Sequence, residues 1–196
     1  MARRDAVDRR HDQKGCRRLF PRESDGVRTR RVREFRRIGG CIQSWRCDAY
    51  TADSAGLASL RQTNLDNPDQ FIILLGIISK VPLGPATRYD DDAWCNIVRW
   101  TVFALIQAEE FGITSRNAEA FLASDDPAIQ RLLGIAPDMG EALGANDSWT
   151  YDATSQIGSY GEIFDRHLGR GTPLNFPRGI NALRTRDSLM YAPTIR

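Results

Sequence analysis

The chain has 196 residues, of which 41% are apolar and 27% are charged, and this fits a globular protein with a buried core. Its net charge of +2 conceals an asymmetry: residues 1–46 carry 15 Lys/Arg and 6 Asp/Glu (net +9), whereas residues 47–196 carry 12 and 19 (net −7). No apolar run approaches the roughly 20 residues that span a bilayer, and no apolar segment follows the basic N-terminus as in a secretory signal. We therefore expect a chain that, as written, stays in the cytoplasm where it is made.

The first 38 residues show arginine pairs but no sustained apolar periodicity. Such a segment cannot bury enough surface to offset its ordering entropy, so residues 1–45 are predicted to be disordered or non-homologous to the rest. A short helix near residues 29–38 is the one regular element that this region allows. Paired arginines also suit the phosphates of nucleic acid, although only Phe20, Phe35 and Trp45 are present for base stacking.

The four cysteines, Cys16, Cys41, Cys47 and Cys95, do not match a disulfide scaffold. Together with His11, the first three have spacings that match no common zinc motif, so no metal is predicted. Cys41 and Cys47 lie close enough in sequence to be bridged in an oxidising compartment, and free thiols are the alternative.

The middle of the chain is predicted to contain strands and one helix. Residues 46–53 indicate a short strand and a turn, and Ser54 suits the start of a helix through Arg61. Asn67-Pro68 indicates a turn. The apolar, β-branched residues 71–79 predict a buried strand pair or one kinked strand.

The second half is predicted to be mostly helical. Asp90–Asp92 precede a long helix whose apolar residues cover most of its circumference and which ends at Gly112. Further helices are expected at 115–123, 127–133 and 148–158, the last extending toward Leu168, with a loop at 169–177 and a final turn at 181–186. Strands followed by helices predict an α/β fold with a helix-rich C-terminal half.

The sequence offers no convincing catalytic or cofactor site. Asp165 and His167 are two residues apart and would point to different sides of a helix. Gly158-Ser159 lacks the spacing of a nucleophile elbow. Glu109 and its neighbour Glu110 are adjacent, which suggests the solvated end of a helix. We therefore predict that the chain is not an enzyme and has no cofactor.

Several strings resemble one family, the general L-amino-acid-binding periplasmic proteins of polar amino-acid ABC importers. They occur in the family's order over about three quarters of the chain: RCDAYTADSAGLASLR, ISKVPLGPATR, DDDAWCNIVRWTVFALIQAEEFGIT, SYGEIFDRHLGRGTPL, RGINAL and MYAP. The resemblance implies a partial type II periplasmic-binding-protein fold for residues 46–196. These would comprise the end of lobe 2 (about 46–75), the hinge crossing (about 76–88) and the C-terminal part of lobe 1.

The resemblance also implies a ligand, partners, a location and one site residue. Asp53, in RCDAYTAD, occupies the position whose carboxylate holds the α-ammonium group of the bound L-amino acid. A carboxylate suits this role because an ammonium ion presents three donors. The partners would be L-amino acids and the membrane subunits of the importer, and the location would be the periplasm.

Some positions depart from the family pattern, and the family's carboxylate-binding arginine and Ser/Thr ligands have no counterpart in this sequence. The departures are Trp45, Leu75, Gly76, Val81, Cys95 and Asn96. The sequence thus predicts the amino-acid-binding component of an ABC importer, truncated and impaired in ligand binding. The alternative is a cytoplasmic, basic-tailed interaction or nucleic-acid-binding protein that reuses the remaining lobe.

Overall fold

The computed structural model describes residues 35–74, 76–78, 83–137 and 140–195, with side chains from Gly39 onward. It divides the chain into two units, Met1–Pro82 and Leu83–Arg196. The expected boundary between residues 45 and 46 stays a prediction, because most of the Arg-rich segment lies outside the described residues. Within those ranges the α-helices are α1 Phe35–Gln43, α2 Ser54–Asn64, α3 Asp92–Glu110, α4 Pro127–Leu132, α5 Trp149–Ile157 and α6 Tyr160–His167.

In the first unit, α1 packs against α2. Gly39 permits the close approach, since a Cβ at this position would lie 2.9 Å from the carbonyl oxygen of Asn64. Cys41, Ala58 and Leu60 are buried in this part of the chain. Residues 29–34 of the helix expected near residues 29–38 lie outside the described residues, and within those residues α1 spans Phe35–Gln43.

The strands expected in the first unit are not formed within the described residues. Residues 46–53 are irregular, and residues 71–74 and 76–78 are neither helical nor paired in a sheet. The expected burial of the apolar segment is wrong, because Ile72 is 80% exposed and Leu74 is 62% exposed. β-branched residues favour extended backbone, but a buried strand also needs a neighbour for its backbone groups.

In the second unit, α3 begins and ends close to the predicted positions. Asp91 is its N-cap, and the Asp91 carboxylate accepts a hydrogen bond of 3.1 Å from the backbone N–H of Trp94. Beyond its last turn, Gly112 has a φ of +70°, the left-handed conformation that commonly ends a helix.

α3 is the central element of this unit and packs against α4, α5 and α6. Five consecutive residues, 104–108, are buried, so the C-terminal half is covered on more than one side, as its apolar circumference predicts. The N-terminal half is more open, and Trp94 is exposed. The main core cluster around α3 comprises Ala104, Ala108, Ile113, Ala118, Ile129, Leu132, Leu133 and Ile195.

The shorter helices confirm some predictions and correct others. α4 lies within the predicted range, and the Asp126 carboxylate accepts a hydrogen bond from the N–H of Ala128. Residues 115–123 form turns and one 3₁₀ turn, Ala120–Ala123, rather than an α-helix. The helix expected from 148 toward 168 divides into α5 and α6, because Gly158 has a φ of +88° and interrupts the helix.

The C-terminal segment returns to α3. Gln107 is buried, and its side-chain oxygen lies 3.4 Å from the backbone N–H of Ile195, which donates to it. Before this contact, Leu183 and Met190 form an isolated parallel bridge, and the expected turn near 181–186 consists of two 3₁₀ turns, Gly179–Asn181 and Arg184–Arg186. Across the described ranges, no helix combines the length and the apolar character that a membrane crossing requires.

Candidate functional site

Asp53 lies at the start of α2. Its backbone is extended (φ −60°, ψ 146°), and its carbonyl accepts the first helical hydrogen bond from the N–H of Leu57, at 2.9 Å. Its half-buried carboxylate makes no capping hydrogen bond to the helix. Instead it lies over the first turn, with Oδ2 2.9 Å from the place where a Cβ of Gly56 would be.

A disulfide closes the loop that precedes Asp53. Cys41, at the end of α1, is bonded to Cys47, with 5.5 Å between the Cα atoms. The carbonyl oxygen of Cys41 also accepts hydrogen bonds from the backbone N–H groups of Arg46 (3.0 Å) and Cys47 (3.2 Å). The bridged alternative for these two cysteines is therefore the one that the structure shows, and Cys95 is free.

The second unit contains an open cleft of about 940 Å³ beside α3 and α6. Asp53 is not among its lining residues. The cleft carries four arginines, Arg166, Arg170, Arg178 and Arg186, together with the carboxylates of Glu109 and Asp165.

An ion pair at this cleft connects distant parts of the second unit. The Arg178 guanidinium donates two hydrogen bonds to the Glu109 carboxylate, both at 3.1 Å, and the two side chains are 18% and 11% exposed. The guanidinium also lies over the rings of Tyr160 and Phe164, at 5.3 and 5.0 Å from their centroids. The interpretation of Glu109 as a solvated helix end is therefore wrong. The pKa of its neighbour Glu110 is raised, chiefly by burial. The positive charge of Arg184 lowers this pKa in part, and the negative charge of Glu109 adds to the increase.

Glu162 forms a second polar centre, which joins α6 to the segment after α3. Its carboxylate accepts hydrogen bonds from the backbone N–H and the hydroxyl of Ser115, at 3.0 and 2.8 Å, and from the backbone N–H of Ser159 at 2.8 Å. Burial alone would raise the pKa of Glu162, but the hydrogen bonds from Ser115 and Ser159 outweigh it, so the pKa lies below its usual value. The Ser-Tyr-Gly-Glu spacing of a capping box is the sequence signal that points to the contact of Glu162 with Ser159.

Of the residues weighed for hydrolytic or metal chemistry, His11 and Cys16 lie outside the described residues, and Cys41 is bonded to Cys47. Asp165 and His167 are exposed on α6, and Ser159 is engaged with Glu162. Throughout the part of the chain that the structure describes, no group of three or more His, Cys, Asp or Glu side chains is arranged to hold a metal ion.

The chain is similar to several curated proteins over most of its own length. It is 48% identical over 161 residues to the general L-amino acid-binding periplasmic protein AapJ of Rhizobium johnstonii, a match that covers 81% of this chain and 47% of that protein. It is 47% identical over 151 residues to the glutamate/glutamine/aspartate/asparagine-binding protein BztA of Rhodobacter capsulatus, covering 76% of this chain and 44% of that protein. No protein-family model matches the chain.

A solved structure gives the same relationship at the level of the fold. It is an ABC transporter/periplasmic binding protein from Brucella ovis with glutathione bound, 36% identical, with a TM-score of 0.85. The similarity covers 98% of this chain and 61% of that one. The chain is homologous to part of these periplasmic binding proteins.

This relationship confirms the family resemblance and the partial periplasmic-binding-protein fold with its helix-rich half. The chain spans about half the length of the curated periplasmic binding proteins that it matches, which agrees with a correspondence to their C-terminal part. The comparisons give no support to the alternative of a basic-tailed interaction or nucleic-acid-binding protein. The role of Asp53 is tested by none of them and stays a prediction.

Proposed function

We propose that the chain serves as the amino-acid-binding component of an ABC transporter, and that the Asp53 carboxylate accepts a hydrogen bond from the α-ammonium group of the ligand. The observation that carries this proposal is the similarity, at 48 and 47% identity, to two curated amino-acid-binding proteins over about four fifths of the chain. The geometry of Asp53 is compatible with the role, since its carboxylate is half-buried and makes no capping bond to its own helix. A charge-assisted hydrogen bond from an ammonium group would satisfy it. By this proposal the chain binds a ligand rather than transforming it, so we expect no enzymatic activity.

The periplasm is the proposed location, and the transporter's membrane subunits are the proposed partners. One curated relative and the structural relative are named as periplasmic proteins, and the disulfide between Cys41 and Cys47 suits an oxidising compartment. Glutathione joins L-amino acids as a candidate ligand, because the structural relative binds it and because it carries an α-ammonium group. The chain spans about half the length of its curated relatives. The impaired ligand binding expected from its sequence stays a prediction.

Titration of the purified chain tests the ligand class. Calorimetry and ligand-observed NMR would be run with L-amino acids, with glutathione and with N-acetylated amino acids, which lack the ammonium charge. We expect the free amino acids or glutathione to bind weakly, with a dissociation constant as high as about 1 mM, which corresponds to a binding free energy of about −4 kcal/mol. We expect no binding of the acetylated forms. Absence of binding at millimolar ligand would contradict the proposal.

Asp53→Asn tests the assigned residue, because it keeps the shape of the side chain and removes its charge. Loss of one charge-assisted hydrogen bond should weaken binding by about tenfold or more. Asp48→Asn is the matched control, since Asp48 is an exposed carboxylate in the same irregular segment, and it should leave the affinity unchanged. Equal affinity of the parent and Asp53→Asn would exclude Asp53 from the site.

A further inference from the structure

Gly56, the third residue of α2, lies directly beneath the Asp53 carboxylate. A Cβ at position 56 would lie 2.9 Å from Oδ2 and 3.7 Å from Cγ of Asp53. Apart from the chain neighbours of Gly56 and the backbone of α2 itself, no other group of the described residues lies within 4 Å of it. The Asp53 carboxylate is therefore what a side chain at position 56 would displace.

The backbone gives no reason for glycine at this position. Gly56 is not among the glycines with a positive φ, so an alanine fits the helical conformation. Glycine is also a poorer helix former than alanine, because it loses more backbone entropy on folding. What glycine provides here is space for the carboxylate.

Two other helices in the described residues show what an aspartate at the N-cap does when glycine is absent. The Asp91 carboxylate accepts a hydrogen bond from the N–H of Trp94, and the Asp126 carboxylate from that of Ala128. The residues three positions after these aspartates are Trp94 and Ile129. At Asp53 the residue three positions on is Gly56, and the carboxylate makes no capping bond. Glycine at this position thus accompanies a carboxylate that lies over the first turn of α2 and does not cap the backbone N–H groups of that turn.

We propose that Gly56 is a positioning residue for ligand binding: its missing side chain lets the Asp53 carboxylate lie where it receives the ammonium group. This inference rests on the proposed function. With alanine at position 56, the carboxylate would move by about 0.5 Å to reach an ordinary contact of 3.4 Å from the 2.9 Å that glycine allows, or would rotate away. Because charge-assisted hydrogen bonds have a narrow range of lengths, such a displacement weakens the ammonium contact.

The test is Gly56→Ala, with thermal unfolding and ligand affinity measured on the full chain. Because the obstacle is the end of one short side chain, the variant should fold and keep or raise the melting temperature, while its affinity for the L-amino acid or glutathione falls by about tenfold. Gly40→Ala is the matched control. Gly40 lies inside α1 with nothing within 4 Å of an added Cβ, so this variant should gain stability without a change in affinity.

The double variant Asp53→Asn/Gly56→Ala identifies the route of the effect. If Gly56 acts through Asp53, the double variant binds no more weakly than Asp53→Asn alone. Parental affinity in Gly56→Ala, or additive losses in the double variant, would overturn the inference while the proposed function stands. No effect of Asp53→Asn, or no binding by the parent chain, would instead overturn the proposed function and this inference with it.

Discussion

At the scale of single residues, one partly exposed carboxylate, that of Glu162, holds two segments of the second unit together. Glu162 accepts hydrogen bonds from Ser115, which lies 47 positions earlier, and from Ser159 at the start of its own helix. The space around it is tight, since a Cβ on Gly158 would lie 2.7 Å from its Oε2. The charged form is favoured because every one of these partners donates a hydrogen bond to it.

We expect Glu162→Gln to destabilise the second unit and to reduce its loss of stability in acid. The pKa of Glu162 is lower in the folded than in the unfolded chain, so its contribution is present above the unfolded pKa and is lost as the pH falls through the folded pKa. The side chain is partly exposed, so after screening the loss should be only about 1 kcal/mol. Urea unfolding at neutral and acidic pH measures it.

Glu119→Gln is the control for this comparison, because Glu119 is an exposed glutamate of the same unit. It should unfold like the parent at both pH values. A Glu162→Gln variant that differs from the parent by the same amount at neutral and at low pH would contradict the role of the charge.

At the scale of the elements, local patterns in the sequence predicted where α3 and α4 begin, but contacts between distant residues could not be predicted from it. Asp91 and Asp126 bond to N–H groups two or three residues away, so their caps are readable from adjacent letters. The break between α5 and α6 also had a local signal in Gly158. The contact between Glu109 and Arg178 joins residues 69 positions apart, and no pattern within one sequence indicates that these two residues meet.

The β content and the candidate site show the same limit. The segment 71–79, which is rich in β-branched residues, indicates extended backbone, but whether a strand is paired depends on residues elsewhere. Asp53 was assigned by resemblance, since a carboxylate before a helix is ordinarily a cap. Only the structure shows that this carboxylate does not cap the helix and that Gly56 leaves space for it.

The disulfide element yields its own prediction. The Cys41–Cys47 bridge closes a short loop between α1 and the segment that leads to Asp53. Restriction of the unfolded chain by a loop of this length should contribute about 2 kcal/mol. Cys41→Ser/Cys47→Ser should therefore lower the unfolding midpoint of the first unit in urea, and a reductant should do the same to the parent. Cys95→Ser controls for the loss of a thiol, and equal midpoints in all three proteins would contradict the prediction.

At the scale of the whole molecule, one short stretch contains four of the exposed large hydrophobic residues of the described ranges. Ile72, Leu74, Ile77 and Ile78 are all exposed within eight residues, whereas exposed single hydrophobic residues elsewhere, such as Leu189, are ordinary. Contiguous exposed apolar residues on unpaired backbone favour association with another chain, because association buries the side chains and satisfies the backbone groups. The chain spans about half the length of the curated relatives that it matches.

We therefore expect the purified chain to self-associate as its concentration rises, and Ile72→Lys/Leu74→Lys to suppress this. Both positions are exposed, so the charges add repulsion between chains without disturbing a core. Light scattering after size exclusion measures the mass, and circular dichroism should show unchanged helix content. Leu189→Lys/Tyr191→Lys is the matched control, since it adds the same charge at two exposed hydrophobic positions elsewhere and should leave the self-association in place. A monomeric parent at all concentrations would contradict the predicted self-association. Equal suppression by both double variants would show that net charge or another surface, rather than the segment 71–78, governs it.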